Sequence, residues 1–398
     1  MKLLRIFPFF DSSVSRWAAE ARIIRWLTFL WLFVGLVVLF SASFPNADGL
    51  GDGFYYFKQQ LIWAALALII FNITVHFPLR LTIKIGSIGL FVVLLLLFAT
   101  YIPGIGEARN DSTRWLKLGS FLLQPSEFIK PFLVLQAANL FGRWKQTGLL
   151  AKLFWLLVFA ISLLGILMQP SLSMTALSGM SLWLMAMAAG IPWYQLTGTA
   201  VMGVAAGVFS IATKEYQRRR LMSFLNPWVD QAGDGYQLSQ SLMAIGSGGT
   251  WGTGFGLSNQ KMFLPFQYTD FIFSVFAEEF GLVGCIALIA MLLIFASLGF
   301  RVALMCKDAV VRLVAIGSTV FLVGQAFLNI GVASGVLPTT GITFPFFSYG
   351  GSSLLSSLAI AALLVRAARE MSAAEIISID RFNVQERRDR LREKRYRS

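Results

Sequence analysis

Apolar runs of about 20 residues recur along almost the whole chain, and each is long enough to cross a hydrocarbon core roughly 30 Å thick as a helix. They fall near 25–43, 58–76, 82–102, 128–144, 153–168, 172–190, 193–212, 271–299, 310–334 and 351–368. Only 13% of the 398 residues are charged and 57% are hydrophobic, whereas soluble domains carry about a quarter charged residues. A soluble enzyme is excluded. The pattern predicts an all-α polytopic membrane protein with about ten transmembrane helices.

An even number of spans places both termini on one side, and the basic residues select the cytoplasmic side, where most of the 33 lysines and arginines then fall. The expected organisation is a cytoplasmic segment 1–24, a membrane domain 25–368 and a basic cytoplasmic tail 369–398. The net charge of +13 is thereby explained by membrane lipids rather than by nucleic acid. The first apolar run follows a basic leader and ends in small residues, as a secretory signal does. It is long for that role and is read as an uncleaved first span.

Two outer loops are long, 103–127 and 213–270, the second being the large extracytoplasmic loop between helices 7 and 8. Long loops on a rigid scaffold are where function tends to sit. Within the second, IGSGGTWGTGFG at 245–256 reads as a flexible surface loop. It is no phosphate-cradling motif, since no strand precedes it and no GK[ST] follows, so no nucleotide is expected. Cys285 and Cys306 would stand about 30 Å apart in one helix and are read as packing residues. His76 is the only histidine, so neither zinc nor haem is expected. A magnesium or manganese ion on oxygen ligands is compatible, with its ligands unassigned.

Ionisable groups in or at the mouth of a membrane need a partner, water or a task. Asp270 opens the eighth span after Thr269, a candidate N-cap. It reads either as a helix-start carboxylate favoured by the dipole or as a general base. The helix start would lower its pKa and neighbouring Phe266, Phe271 and Phe273 would raise it. Glu278 and Glu279 lie about two turns deeper, facing about 100° apart, and are supporting residues or buried structural carboxylates. Glu127 and Lys130 start the fourth helix at i,i+3 spacing, as a structural ion pair or, with Arg114 and Lys117, as a group holding a diphosphate leaving group. The basic run 214–220, which includes Arg218 and Arg219, is a solvated or lipid-facing surface or a guide for an acidic substrate.

Four ordered blocks, RWLKLGSFLLQPSEFIK (114–130), FLNPWVDQAGDGYQLSQSLMAIGSGG (224–249), TDFIFSVFAEEFGLVG (269–284) and LPTTGITFPFFSYGGSS (337–353), closely resemble the SEDS family (shape, elongation, division and sporulation). The resemblance spans nearly all ten helices and looks most like the division-associated branch. It implies a peptidoglycan glycosyltransferase polymerising lipid II into glycan at the outer face of the bacterial plasma membrane, at the division septum. It implies Asp270 as the catalytic aspartate and substrate-cavity roles for Arg114, Trp115, Glu127 and Lys130, to which the loop cations Lys117, Arg218 and Arg219 are added by their charge as substrate-binding candidates. Supporting positions are Thr269, Glu278, Glu279, Ser348 and Ser352. The implied partners are a class B penicillin-binding transpeptidase, other division proteins, lipid II and the nascent strand. A divalent cation, as magnesium or manganese, is implied as a possible aid to the leaving diphosphate. Two positions depart from the family: Ser171 stands where many members have aspartate, and Tyr268 where many have histidine. A lipid II flippase and a noncatalytic division scaffold are the alternatives from other functional classes.

Overall fold

The computed structural model describes residues 12–109, 112–118, 121–169 and 171–371; residues 1–11 of the N-terminal segment and 372–398 of the tail predicted above lie outside them. Ten apolar helices follow the predicted runs: α1 (Ala19–Asp48), α2 (Tyr55–His76), α3 (Leu79–Ala99), α4 (Pro125–Gly142), α5 (Leu149–Met168), α6 (Leu172–Ala188), α7 (Trp193–Thr213), α10 (Ile272–Met305), α11 (Ala309–Ala333) and α12 (Gly351–Met371). Among the described residues, eight of these are long and apolar enough to cross a membrane. The other two have physical reasons to differ. Helix α6 has 17 residues. Helix α4 is packed between α3, α6 and α11, so protein rather than lipid surrounds its polar residues.

The outer loops are more ordered than expected. The first carries a three-stranded antiparallel sheet, β1 (Gly106–Arg109), β2 (Ser112–Leu118) and β3 (Phe121–Leu123), in the order β1-β2-β3. The second contains α8 (Glu215–Leu225) and α9 (Tyr236–Ser247).

Helix α10 breaks at Gly281, whose φ is 64°. The glycine-rich stretch repairs the break: Thr253 N–H donates to the Glu278 carbonyl (2.9 Å), Gly254 N–H to that of Glu279 (3.1 Å), Leu282 N–H to that of Gly249 (2.9 Å) and Val283 N–H to that of Thr250 (3.1 Å). Backbone groups freed within a membrane helix need such partners. A Cβ on Gly252 would stand 2.2 Å from the Glu279 carbonyl oxygen, and one on Gly281 2.3 Å from the Gly252 nitrogen. The glycines therefore permit close backbone approach, and the flexible surface loop expected from their density is corrected to a clasp.

A second irregular segment, 338–350, joins α11 to α12 through the interior. Ile342, Phe344, Phe346 and Phe347 are buried in it, with Phe346 at a positive φ of 66°. Trp31 of α1 packs against Phe295, Phe344 and Phe346. Gly35, also on α1, lets the chain pass, since a Cβ there would lie 2.3 Å from the Phe346 carbonyl oxygen. Side chains from the helices satisfy this segment's backbone. Gln60 Nε2 donates to the Ser348 carbonyl (3.3 Å) and its Oε1 accepts from Gly350 N–H (3.2 Å).

Candidate active site

Asp270 stands in a turn just before α10, with Phe271 as the residue preceding the first helical position. The turn is held from three sides. Phe266, at φ 57°, offers its carbonyl to the N–H groups of Thr269 (3.0 Å) and Phe271 (3.3 Å). Ser348 Oγ donates to the Thr269 carbonyl (2.6 Å), and Asn329 Nδ2 to the Asp270 carbonyl (2.7 Å). Thr269 does not cap α10 as expected: its hydroxyl donates back to the Phe266 carbonyl (3.2 Å).

The Asp270 side chain is partly exposed and meets two arginines and a glycine. Desolvation raises its pKa from 3.8 to about 6, against the opposing pull of Arg220 and then Arg114. Burial thus outweighs the two arginines. A Cβ on Gly341 would lie 3.2 Å from Asp270 Oδ2 and 3.9 Å from Arg114 Nη1, so all three converge where the 338–350 segment passes the turn.

Alternation along β2 puts Arg114 and Leu116 on one face and Trp115 and Lys117 on the other. Leu116 is buried and Lys117 exposed. Arg114 reaches under the sheet to donate from Nε to the Gln169 carbonyl at the end of α5 (2.7 Å). Burial lowers its pKa, while Tyr216 and Asp270 favour its charged form. Within the group expected of Arg114 and Lys117 with Glu127 and Lys130, the two strand residues therefore stand on opposite faces. Tyr101, its pKa pushed up to about 12 by burial, donates to the Gly165 carbonyl (2.9 Å) on the same side as Arg114.

On α8 the choice among arginines is also corrected. Arg218 and Arg219 are exposed, and Arg219 pairs with Glu215 at 2.6 Å. Arg220 is the one directed at the site: it stacks 4.5 Å from the Tyr216 ring, donates from Nη1 to the Thr339 carbonyl (3.2 Å) and acts on Asp270. The i,i+4 spacing of Tyr216 and Arg220 on a helix was the available sequence signal.

Glu127 and Lys130, in the first turns of α4, form a buried ion pair of 2.7 Å, the structural pair that their spacing allowed. Lys130 Nζ also donates to Gln325 Oε1 (2.9 Å), and Gln325 Nε2 to the Thr343 carbonyl (2.8 Å). Ser352 Oγ accepts from Gln124 N–H at the start of α4 (3.1 Å). Glu278 and Glu279 face away from Asp270. Glu278 accepts from Ser258 Oγ and from Asn259 N–H (2.9 Å), while Glu279 bonds Ser41 of α1 and pairs with Lys261 at 3.3 Å. Tyr268 stacks on Tyr56 at 4.8 Å, and Ser171 precedes α6.

Among the described residues no group of three or more His, Cys, Asp or Glu comes together. Beside Asp270 stand guanidinium groups, which cannot ligate a metal and repel it. These residues do not fit a resident divalent cation.

A family model described as a cell cycle protein and covering FtsW, RodA and SpoVE matches residues 21–373. A probable peptidoglycan glycosyltransferase FtsW of Synechocystis sp. is 55% identical over 380 residues, covering 95% of this chain and 96% of that protein. A putative peptidoglycan glycosyltransferase FtsW of Mesostigma viride is 46% identical, covering 94% and 90%. Among solved structures, a peptidoglycan synthase complex that coordinates polymerization and crosslinking contains a chain matching with TM-score 0.72 and 27% identity, over 89% of this chain and 99% of that one. The rod shape determining protein RodA of Thermus thermophilus matches with TM-score 0.66 and 26% identity, again over 89% and 99%.

Proposed function

This chain belongs to the FtsW, RodA and SpoVE family and is a peptidoglycan glycosyltransferase of the membrane, serving wall synthesis and cell division; from there we propose that it polymerises lipid II with Asp270 as general base. The observation that carries this reading is a partly exposed carboxylate of pKa about 6 beside Arg114 and Arg220 at the outer end of α10. A base with a pKa near the working pH combines the ionised form with useful proton affinity.

Asp270 takes the proton of an acceptor sugar hydroxyl as that oxygen forms a bond to the donor's anomeric carbon. The bond from that carbon to the diphosphate oxygen breaks, and the undecaprenyl diphosphate leaves with the electron pair. Arg114 and Arg220 offset the charge that gathers on it, as planar guanidinium groups do for phosphate oxygens. Any divalent cation would arrive with the diphosphate rather than reside on the protein.

The similarity to a synthase that joins polymerization to crosslinking supports a transpeptidase partner, which we take to be a class B penicillin-binding protein at the septum. The four charges that would motivate a transport reading, Glu127, Lys130, Glu278 and Glu279, are each tied to internal partners, and that reading gains no support from them.

The test is glycan formation from lipid II by the purified chain with its cognate transpeptidase, beside Asp270→Asn. Polymer from the parent and none from a folded variant is the expected result. Undiminished polymer from the variant overturns the role of Asp270.

A further inference from the structure

At the end of the bundle opposite Asp270, a cavity of about 810 Å³ lies between the start of α3, the end of α4, the turn from α10 to α11 and the end of α12. Four cations line it, Arg80, Lys84, Arg143 and Lys307, and two acids, Asp308 and Glu370. The acids are already engaged. Asp308 Oδ1 caps α11 by accepting from Val310 N–H (2.7 Å) and Val311 N–H (3.2 Å), and Glu370 pairs with Arg366. Among the described residues, no carboxylate lies within ion-pair distance of the four cations. Among the described residues the cavity therefore carries a surplus of positive charge.

The wall beside these cations is apolar, with Leu79, Ile83 and Val310 buried in it. On α3 an exposed apolar row, Leu81, Ile85, Ile88, Val92 and Leu95, spaced by four, three, four and three residues and thus on one face, lies round the helix from that buried wall. Arg80 and Lys84 lie on the adjacent face at the start of that row. A basic pocket whose cations Arg80 and Lys84 stand beside a lipid-facing apolar stripe matches a ligand with an anionic head and an acyl tail. A free phosphate would use only the first half. All four cations lie in segments that the charge distribution puts on the cytoplasmic side.

We propose that this cavity seats the phosphodiester headgroup of an anionic glycerophospholipid of the inner leaflet, with an acyl chain laid along the exposed row of α3. The lipid would join α3, α4, α11 and α12 at a point where their side chains leave a gap. Basic pockets between membrane helices on the cytoplasmic side recognise anionic headgroups in this way.

The test is native mass spectrometry of the full-length chain, purified in detergent and titrated with phosphatidylglycerol or phosphatidylcholine. Phosphatidylglycerol should be retained preferentially. The combined change Arg80→Gln, Lys84→Gln, Arg143→Gln and Lys307→Gln should weaken it roughly tenfold or more. Arg22→Gln, Lys145→Gln, Lys152→Gln and Arg301→Gln, which remove the same charge outside the cavity, should leave it within about twofold. Asn139→Phe, which fills the cavity and keeps every cation, should also abolish the preference, and it carries the test if the fourfold variant does not fold. Equal losses in the two fourfold variants would overturn the proposal in favour of diffuse surface attraction. Displacement of the lipid by inorganic phosphate at similar concentration would overturn it in favour of a free anion. Preferential retention that appears only after deletion of 372–398 would show the acidic residues of the tail to be the occupant.

Discussion

Gln325 and Asn329, one turn apart on α11, hold the same interior segment by adjacent carbonyls: Gln325 donates to Thr343 and Asn329 to Ile342. Each then reaches a different charged residue. Gln325 accepts from Lys130, and Asn329 donates to the Asp270 carbonyl. The buried ion pair and the candidate base are thus referenced to one helical face. Glu127 and Lys130 thus connect to the Asp270 turn through α11 and the 338–350 segment.

Replacing Asn329 by leucine keeps its bulk but leaves the carbonyls of Asp270 and Ile342 unpaired, at a cost of about 1–3 kcal/mol. The expected outcome is a lower thermal midpoint together with a fall in kcat larger than any change in KM. Gln325→Leu, which has no bond to Asp270, should lower the midpoint similarly and affect kcat less. Midpoints and polymerisation kinetics on both variants check the difference.

Asp270 gives a pH prediction with a definite sign. Its pKa in the fold is raised from 3.8 to about 6, so the folded protein favours the protonated form. The stability this contributes is complete below about pH 4 and is lost as pH rises through 6. Asp270→Asn should therefore stabilise the protein at pH 7.5, by on the order of 1–3 kcal/mol, with the difference vanishing near pH 4. Polymerisation should run the opposite way, falling below pH 6 as the base is protonated. Midpoints and rates across pH 4 to 8 test both.

Arg220 and Arg219 separate a site cation from a surface one. Arg220→Gln should cut polymerisation roughly tenfold or more and move the acidic limb of the pH profile upward, because a charge that lowers the Asp270 pKa is removed. Arg219→Gln breaks an exposed pair with Glu215 and should change activity less than about twofold. Rates of the two variants at several pH values distinguish them.

Gly341 is a clearance residue. Its substitution by alanine puts a methyl group 3.2 Å from Asp270 Oδ2, a distance that forces a shift of a few tenths of an ångström. A roughly three- to tenfold drop in kcat is expected with the midpoint unchanged, and a larger drop with valine. Steady-state kinetics beside thermal unfolding check it.

The ten apolar helices and the place of Asp270 just ahead of the eighth span were legible because each depends on information contained in one stretch of chain: the length of an apolar run, or a carboxylate ahead of one. What escaped depends on rotation or on contact through space. Choosing Arg220 over Arg218 and Arg219 requires the phase of α8 against the 338–350 segment. Separating Arg114 from Lys117 requires the alternation of β2, part of a sheet whose three strands are too short to announce themselves. The glycines of 245–256 looked like a surface loop because their partner, the broken turn at Gly281, lies more than 20 residues on. Thr269 suited a helix cap by residue type, but the turn begun at Phe266 uses its hydroxyl first.

The break at Gly281 divides the longest helix into two rods of unequal length. The shorter, residues 272–280, carries the Asp270 turn at its free end and the clasp at its root. Trp251, 79% exposed at the tip of the clasp, sits between Thr250 and Gly252, whose backbones abut the break. The clasp bonds both rods, with Glu278 and Glu279 of the shorter accepting from it and Leu282 and Val283 of the longer donating to it, so the break is splinted as a rigid elbow that sets the carboxylate's turn at a fixed angle to the long rod.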